Sequence, residues 1–207
     1  MHNATIDFYN KNFKDYCDAT LNIKKLDLWE IALSHIPQDA RILDLGCGAG
    51  RDILYFSAYF SRVYGLDLSF NFAQFAYQNS LKPVVQADLR HLPFHNRSFD
   101  VIWSIASLLH LRKSEIQSAL LESNRVLRIN GFMFISLKKG KGERIADDGR
   151  FFSYYSEKEL SQLLSNVGFN VVDVFLTYEK KLIKKTNQSV TVPWVFTVSQ
   201  KISEEEL

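Results

Sequence analysis

Cysteine is scarce in this chain: two in 207 residues, Cys17 and Cys47. Two thiols build no disulfide framework, so the fold is expected to stand on its own core in a reducing compartment. No apolar run approaches the roughly 18 residues of a membrane span. The opening M-H-N-A-T-I-D-F-Y-N lacks the basic-then-apolar layout of a secretory leader, and a cytoplasmic protein is expected. A net charge of +2 is too small to argue for nucleic acid as a partner. No His, Cys, Asp and Glu residues fall at metal-ligand spacing, so no metal is expected. Neither the G-x-S-x-G turn of a sheet hydrolase nor the G-x-G-x-x-G fingerprint of a dinucleotide enzyme is present. Internal repeats and interdomain linkers are missing too, and one domain over residues 1–207 is expected.

What the chain does hold is an alternation of strand-like and helix-like segments, the signature of an α/β sheet. Phe8, Tyr9, Phe13 and Tyr16 stand at roughly helical spacing, and Leu26 to Ile36 reads as a helix closed by Pro37. Residues 1–37 thus predict a lid and a helix. Strands are predicted at Arg41–Leu45, Val63–Leu66, Pro83–Ala87, Phe99–Ile105 and Phe132–Leu137. Ile53, Phe56 and Phe60 give the helix after the first strand its apolar stripe. Ser69 can cap the next helix, with Phe72, Phe75 and Ala76 on one face. A long helix is expected from Ser114 to Leu127, stopped by Asn130-Gly131. The glycine- and charge-rich stretch 138–155 reads as a loop. Ser156 and Glu159 form a capping box for a last helix with Leu160, Leu163, Leu164 and Val167 inside and Gly168 as its stop. Val171–Tyr178 and Val190–Val198 are too closely joined for a crossover helix and are expected to be antiparallel. Residues 200–207 are expected to fray.

The most informative stretch is R-I-L-D-L-G-C-G-A-G-R-D, Arg41 to Asp52. An apolar strand ends in Asp44, and Gly46, Gly48 and Gly50 let the backbone turn sharply and approach a ligand. Two further strands end in Asp67 and Asp88. Ligands of an open parallel sheet lie outside the carboxyl ends of its strands, near the point where strand order reverses. A carboxylate at Asp67 can accept both hydroxyls of a ribose, and Asp88 an adenine amino group, with Leu68 and Leu89 flanking the ring.

These residues carry a resemblance. L-D-L-G-C-G-A-G, Y-G-L-D-L-S, Q-A-D-L-R-H-L-P-F and F-D-V-I-W-S-I-A-S-L-L-H-L are similar to the motifs of class I methyltransferases that use S-adenosylmethionine. The resemblance covers roughly Phe8 to Val198. It implies a three-layer, Rossmann-like, seven-stranded sheet, mostly parallel with an antiparallel C-terminal pair. It assigns Gly46, Gly48 and Gly50 to the methionine moiety, Asp67 to ribose, and Asp88 with Leu89 to adenine. Cys47, Leu68, Ala87 and Ser104 fall within the matched motifs and complete the candidate cofactor set. Asp44 is expected behind the loop, accepting its N–H groups. A nucleophilic Cys47 is rejected, since nothing nearby would lower its pKa. Tyr16, in an N-terminal segment like one whose tyrosine touches the methionine carboxylate in related enzymes, joins that set.

A sulfonium methyl needs positioning more than chemical help, so a faint catalytic signature is expected. His110 follows the fourth strand and is the candidate base. The segment K-K-G-K-G-E-R-I-A-D-D-G-R-F-F-S-Y-Y is similar to one in a group of small bacterial methyltransferases. Tyr9, Lys138, Arg150, Phe152 and Tyr154 are the candidate acceptor contacts. Arg150 has two readings: a fork for an anionic acceptor, or a strut tying the loop down. No Asp/Asn-Pro-Pro-aromatic motif follows the fourth strand, which argues against amino methylation of DNA, and no Pro-Cys pair stands there for cytosine C5 chemistry. A small-molecule acceptor is the leading expectation. The second is tRNA, from a resemblance to enzymes that esterify a carboxymethyl group on wobble uridine, with Lys180, Lys181, Lys184 and Lys185 on phosphates. The third is a silent cofactor-binding regulator.

Overall fold

A computed structural model describes residues 3–183 and 188–203. Its elements, in chain order, are α1 (Asn3–Lys11), α2 (Phe13–Thr20), α3 (Leu26–Leu33), β1 (Arg41–Leu45), α4 (Arg51–Ser57), β2 (Arg62–Asp67), α5 (Phe70–Ser80) and β3 (Val84–Gln86). There follow β4 (Phe99–Ile105), a short 3₁₀ turn (Leu108–His110), α6 (Ile116–Val126), β5 (Leu127–Lys138), β6 (Glu143–Ile145), β7 (Phe151–Ser153), α7 (Glu157–Ser165), β8 (Phe169–Ile183) and β9 (Gln188–Lys201). Seven strands form one sheet in the order β3-β2-β1-β4-β5-β9-β8. Strands β1 to β5 run parallel in it, and β9 is antiparallel to both β5 and β8. The expected seven-stranded α/β sheet with an antiparallel last pair is therefore the observed one.

Three layers follow from the two-residue period of the strands. Ile42, Val101, Trp103, Phe134 and Phe196 project to one face, where Leu28, Trp29 and Ala32 of α3 and Ile53 and Phe56 of α4 cover them. Leu43, Leu45, Ile102, Met133 and Ile135 project to the other, under Ile116 and Leu120 of α6 and Leu160 and Leu164 of α7. Strands covered on both faces read as nearly continuous apolar runs, which is why β1 and β4 were legible in the sequence.

The helix ends follow local rules. The Ser156 hydroxyl accepts the Glu159 N–H at 3.2 Å at the start of α7. Only that half of the capping box forms, because the Glu159 carboxylate pairs with Lys113. Gly168, at φ +86°, ends the segment in the left-handed region.

Four expectations need correction. The stretch 138–155 is not an open loop: β6 and β7 pair as a small antiparallel hairpin, Glu143 opposite Ser153 and Ile145 opposite Phe151. Three-residue strands are too short to show periodicity, and Gly149 at φ +86° supplies the turn. The long helix ends at Val126, and β5 takes up the chain from Leu127, carrying Asn130 at φ +63° through an irregular stretch. The last hairpin outruns its predicted strands, to Ile183 and from Gln188. Gln200 and Lys201 remain in β9, with the Lys201 ammonium donating to the carbonyls of Asn124 and Leu127. Residues 204–207 of the expected frayed end lie outside the described residues. So do Lys184 and Lys185, and the side chain of Lys181, from the lysine cluster.

Phe134 sits at the middle of β5, fully buried, 5.7 Å from Trp103 and 6.3 Å from Phe196 between ring centres. Phe134→Ala is expected to lower stability by about 3–5 kcal/mol, through lost transfer energy and the cavity left behind. Urea denaturation checks this by a lower midpoint at an unchanged slope.

Candidate functional site

Strand order reverses between β1 and β4, whose onward connections leave to opposite sides, and this opens a crevice at their carboxyl ends. The loop from β1 to α4 forms its floor. Its shape is set by the end of β2: the Leu66 carbonyl accepts N–H bonds from Gly46 at 2.7 Å and Cys47 at 3.0 Å. The Asp67 carboxylate then accepts the Gly48 N–H at 2.9 Å on one oxygen and the Ser69 N–H at 2.9 Å on the other. Gly46 is needed here twice over, because its φ is +75° and a Cβ would lie 2.3 Å from that of Ser107. At Gly48 the same position is open, with nothing within 4 Å.

The cavity above this floor measures about 590 Å³ with its mouth included. Gly46, Gly48, Asp67, Leu68 and Leu89 line one side, while Tyr9, Tyr16, Phe72 and His110 line the other. Of the candidate cofactor residues, Tyr16, Gly46, Gly48, Asp67, Leu68 and Leu89 are thus brought together. Gly50, at φ +84°, turns the chain into α4. Cys47 contributes main chain; its buried thiol has a pKa raised by burial and by the Asp44 and Asp67 charges, opposite to what a nucleophile needs.

Four candidates stand differently from expectation. Asp44 does not brace the loop as expected; Leu66 and Asp67 do that. It is buried, one carboxylate oxygen has no hydrogen-bond partner, and burial with the neighbouring Asp52 raises its pKa. Asp88 lies outside the cavity lining, and Arg90 grips both its oxygens, at 3.0 and 2.6 Å, holding its pKa low. Ser104 is fully buried one step behind the wall, hydrogen-bonded at 2.7 Å to Ser107. Ala87 also lies outside the lining, its N–H on the Asp67 main-chain carbonyl.

The roof is α1, docked on the 3₁₀ turn and on β7. The Thr5 hydroxyl accepts the Phe151 N–H at 2.9 Å, and Ser69 joins Asn10 at 2.7 Å. His110 Nδ1 lies 2.8 Å from the Phe151 carbonyl and Nε2 lies 2.8 Å from the Tyr9 hydroxyl. A carbonyl only accepts, so Nδ1 carries the ring proton, Nε2 is bare, and Tyr9 donates to it. Burial drives the His110 pKa down to about 4, helped by the Arg150 and Lys138 charges and opposed by the Phe151 carbonyl and Asp148.

Arg150 takes the strut reading. Two of its nitrogens donate to one oxygen of Asp148, at 3.0 and 2.7 Å, a third leans to the Tyr9 hydroxyl at 3.5 Å, and the guanidinium lies 4.5 Å from the Phe8 ring centre. Phe152 is buried with the Lys138 ammonium 3.6 Å above its ring, and Tyr154 is half-buried against Gly140. None of Lys138, Arg150, Phe152 and Tyr154 lines the cavity, and of the acceptor candidates only Tyr9 does. Sequence reasoning missed Ile6, Ser69, Phe72, Ala106 and Ser107 as lining residues. Ala106 is held at φ +61°, an uncommon conformation for a residue with a side chain, and no sequence signal marks it. Ser69 and Phe72 carried a signal, a cap and an apolar face, that was assigned to helix formation alone. Among the described residues there is no cluster of potential metal ligands and no helix long and apolar enough to cross a membrane.

A sheet of this order with a glycine loop at its switch point defines a doubly wound α/β fold, and comparison with known proteins identifies which kind. A family model described as a methyltransferase domain matches residues 43–135. The uncharacterized protein MJ1252 of Methanocaldococcus jannaschii is 30% identical over 205 residues, covering 83% of this chain and 78% of that one. The uncharacterized methyltransferase YodH of Bacillus subtilis is 32% identical over 143 residues, 63% of this chain and 60% of that one. The fold is shared with the 1,6-didemethyltoxoflavin N1-methyltransferase of Burkholderia thailandensis, solved with its acceptor and S-adenosylhomocysteine. The TM-score is 0.75 at 22% identity, over 97% of this chain and 88% of that one. The chain belongs to the class I S-adenosylmethionine-dependent methyltransferases.

His110 links the site to stability. Its folded pKa of about 4 lies below the ordinary 6.5, so between those values the unfolded chain binds a proton that the folded chain refuses. Stability is therefore expected to fall as pH drops through that window. His110→Gln should flatten this part of a pH series of denaturation midpoints, and an unchanged slope would place the loss elsewhere.

Proposed function

We propose that the protein binds S-adenosylmethionine across the glycine loop and transfers its methyl group to a small molecule held under the α1 roof. The observation that carries this reading is one cavity with the Gly46–Gly48 loop and Asp67 on one side and the Tyr9–His110 pair on the other.

The residues fit the cofactor. Each Asp67 oxygen accepts a single backbone N–H, so each keeps a lone pair for one of two adjacent ribose hydroxyls. Leu68, Leu89 and Phe72 offer apolar walls for a purine, and the open position at Gly48 admits a chain close to main-chain atoms. The unpartnered Asp44 oxygen supplies the buried acceptor that an ammonium group nearby would call for. Bound here, the cofactor supplies an electrophilic methyl on a leaving group that departs as a neutral thioether. The work left to this chain is to align the acceptor and keep water out. Asp88, committed to Arg90, has no part in this assignment; Leu89 beside it carries the apolar contact.

A small acceptor is favoured by the roof. Contacts from Thr5, Tyr9 and Asn10 close α1 over the crevice, and β6–β7 buttresses it from behind. A polynucleotide would have to displace that helix to reach the floor.

Incubation of the protein with methyl-labelled cofactor and a metabolite extract, and separately with tRNA, tests the acceptor class. Label is expected in the metabolite pool; label in tRNA alone would replace the small-molecule reading. Asp67→Ala is expected to weaken S-adenosylhomocysteine binding by about 1–3 kcal/mol, the cost of losing a buried charged acceptor. Titration calorimetry reads this directly, and wild-type affinity in the variant would remove Asp67 from the ribose.

A further inference from the structure

His110 was the expected base, but neither of its ring nitrogens is bare toward the cavity. Nδ1 is tied to the Phe151 carbonyl and Nε2 is capped by the Tyr9 hydroxyl. In this closed arrangement a proton bound for Nε2 passes through the Tyr9 oxygen.

We propose that the Tyr9 hydroxyl is the catalytic residue that contacts the acceptor's N–H or O–H, and that His110 is a positioning residue that takes the proton through it. The acceptor class is then a small molecule whose nucleophile must shed a proton, an amine, enol or hydroxyl, rather than a carboxylate or thioether. This rests on the proposal that the cavity carries methyl transfer.

The step balances as follows. The acceptor's X–H proton passes to the Tyr9 oxygen while Tyr9's own proton passes to His110 Nε2. The X–H electron pair forms the bond to the methyl carbon, and the pair of the broken sulfur–carbon bond stays on sulfur. One positive charge leaves the sulfonium and one appears on the imidazole, so the net charge of the site is constant. Loss of the sulfonium charge keeps the step from adding net charge to the site, while burial and the Arg150 and Lys138 charges make the imidazolium a transient that gives its proton up again. The resulting imidazolium keeps its bond to the Phe151 carbonyl.

The geometry is organised in advance for this. Thr5 and Tyr9 lie one turn apart on α1, and both close on Phe151: Thr5 on its N–H, Tyr9 through His110 on its carbonyl. The tyrosine is thereby held in register with the imidazole before any ligand arrives. The charged groups facing the pair are Arg150, Lys138 and Asp148. Burial raises the Tyr9 pKa, and Arg150, leaning toward the Tyr9 oxygen, partly offsets that, so the proton passes on to His110 in the same step that Tyr9 receives one.

A bond that only latches α1 shut would look the same, and His110→Gln separates the two. Glutamine keeps a carbonyl to accept from Tyr9 and an amide N–H to give to Phe151, but it cannot take a proton. The variant is expected to bind S-adenosylhomocysteine within about threefold of wild type yet label the metabolite pool about 100-fold more slowly or worse, the usual worth of a proton-taking group. Tyr9→Phe should slow labelling similarly. In the unliganded protein, nitrogen NMR should find His110 as the Nδ1–H form, with the Nε2 resonance displaced by Tyr9→Phe. Wild-type labelling by His110→Gln reduces the pair to a latch and overturns the proposal. An Nε2–H form, or an Nε2 resonance indifferent to Tyr9→Phe, overturns it without any turnover measurement. If the wild type neither binds S-adenosylhomocysteine nor labels any pool, the methyl-transfer reading falls, while the NMR result still decides whether the relay exists.

Discussion

The end of β2 holds the site together. One carbonyl, that of Leu66, and one carboxylate, that of Asp67, accept three successive N–H groups of the glycine loop. They fix its path where β1 and β4 part. The loop's three glycines have no side chains with which to hold it, so its shape is largely borrowed from the neighbouring strand. Ser107 fills the space that a side chain at Gly46 would need, and its hydroxyl donates to the Leu45 carbonyl at 2.6 Å. The ends of three strands are thus locked to one another by main-chain groups together with the Asp67 carboxylate and the Ser107 hydroxyl. The cavity floor is fixed at these points and presents backbone at Gly46 and Gly48 to the cavity.

The roof is built on the opposite logic. It is a set of side chains from segments far apart in the chain, brought together by a short hairpin. Phe151 is the meeting point: its N–H serves Thr5 and its carbonyl serves His110. Arg150, beside it, is stacked near Phe8 and held by Asp148. Hence α1 and β7 depend on each other, and the tyrosine over the cavity is only as well placed as the hairpin behind it. A floor fixed by strands and a roof fixed by side-chain contacts give a cavity one half of which is set by the sheet, while the other half depends on one helix and one hairpin.

Much of this was legible beforehand, for identifiable reasons. Strands β1 and β4 were placed to the residue because burial on both faces writes unbroken apolar runs into the sequence. The glycines and Asp67 were legible because turn sterics restrict which residues can stand there. The sequence left open what happens where a charged side chain has more than one partner available. Asp88 was expected to meet a ligand and instead meets Arg90, two residues on. Arg150 was read either as a fork for an anion or as a strut for the loop, and in the structure it pairs with Asp148, also two residues away. Both pairs close within one turn of chain, so proximity decides them, yet a list of residue types shows a free acid and a free base in each case.

The sequence by itself determined the sheet, the glycine loop and the acid at the tip of β2, since these follow from sterics and burial periodicity among chain neighbours. Only the tertiary structure decided that Asp44 is left with an unpartnered oxygen and that His110 is hydrogen-bonded to Tyr9 at the cavity wall. The Tyr9–His110 bond joins residues 101 positions apart and the Thr5–Phe151 bond residues 146 apart. Such contacts are made by packing, which sets their distances only after the whole chain is in place, and no local pattern encodes them.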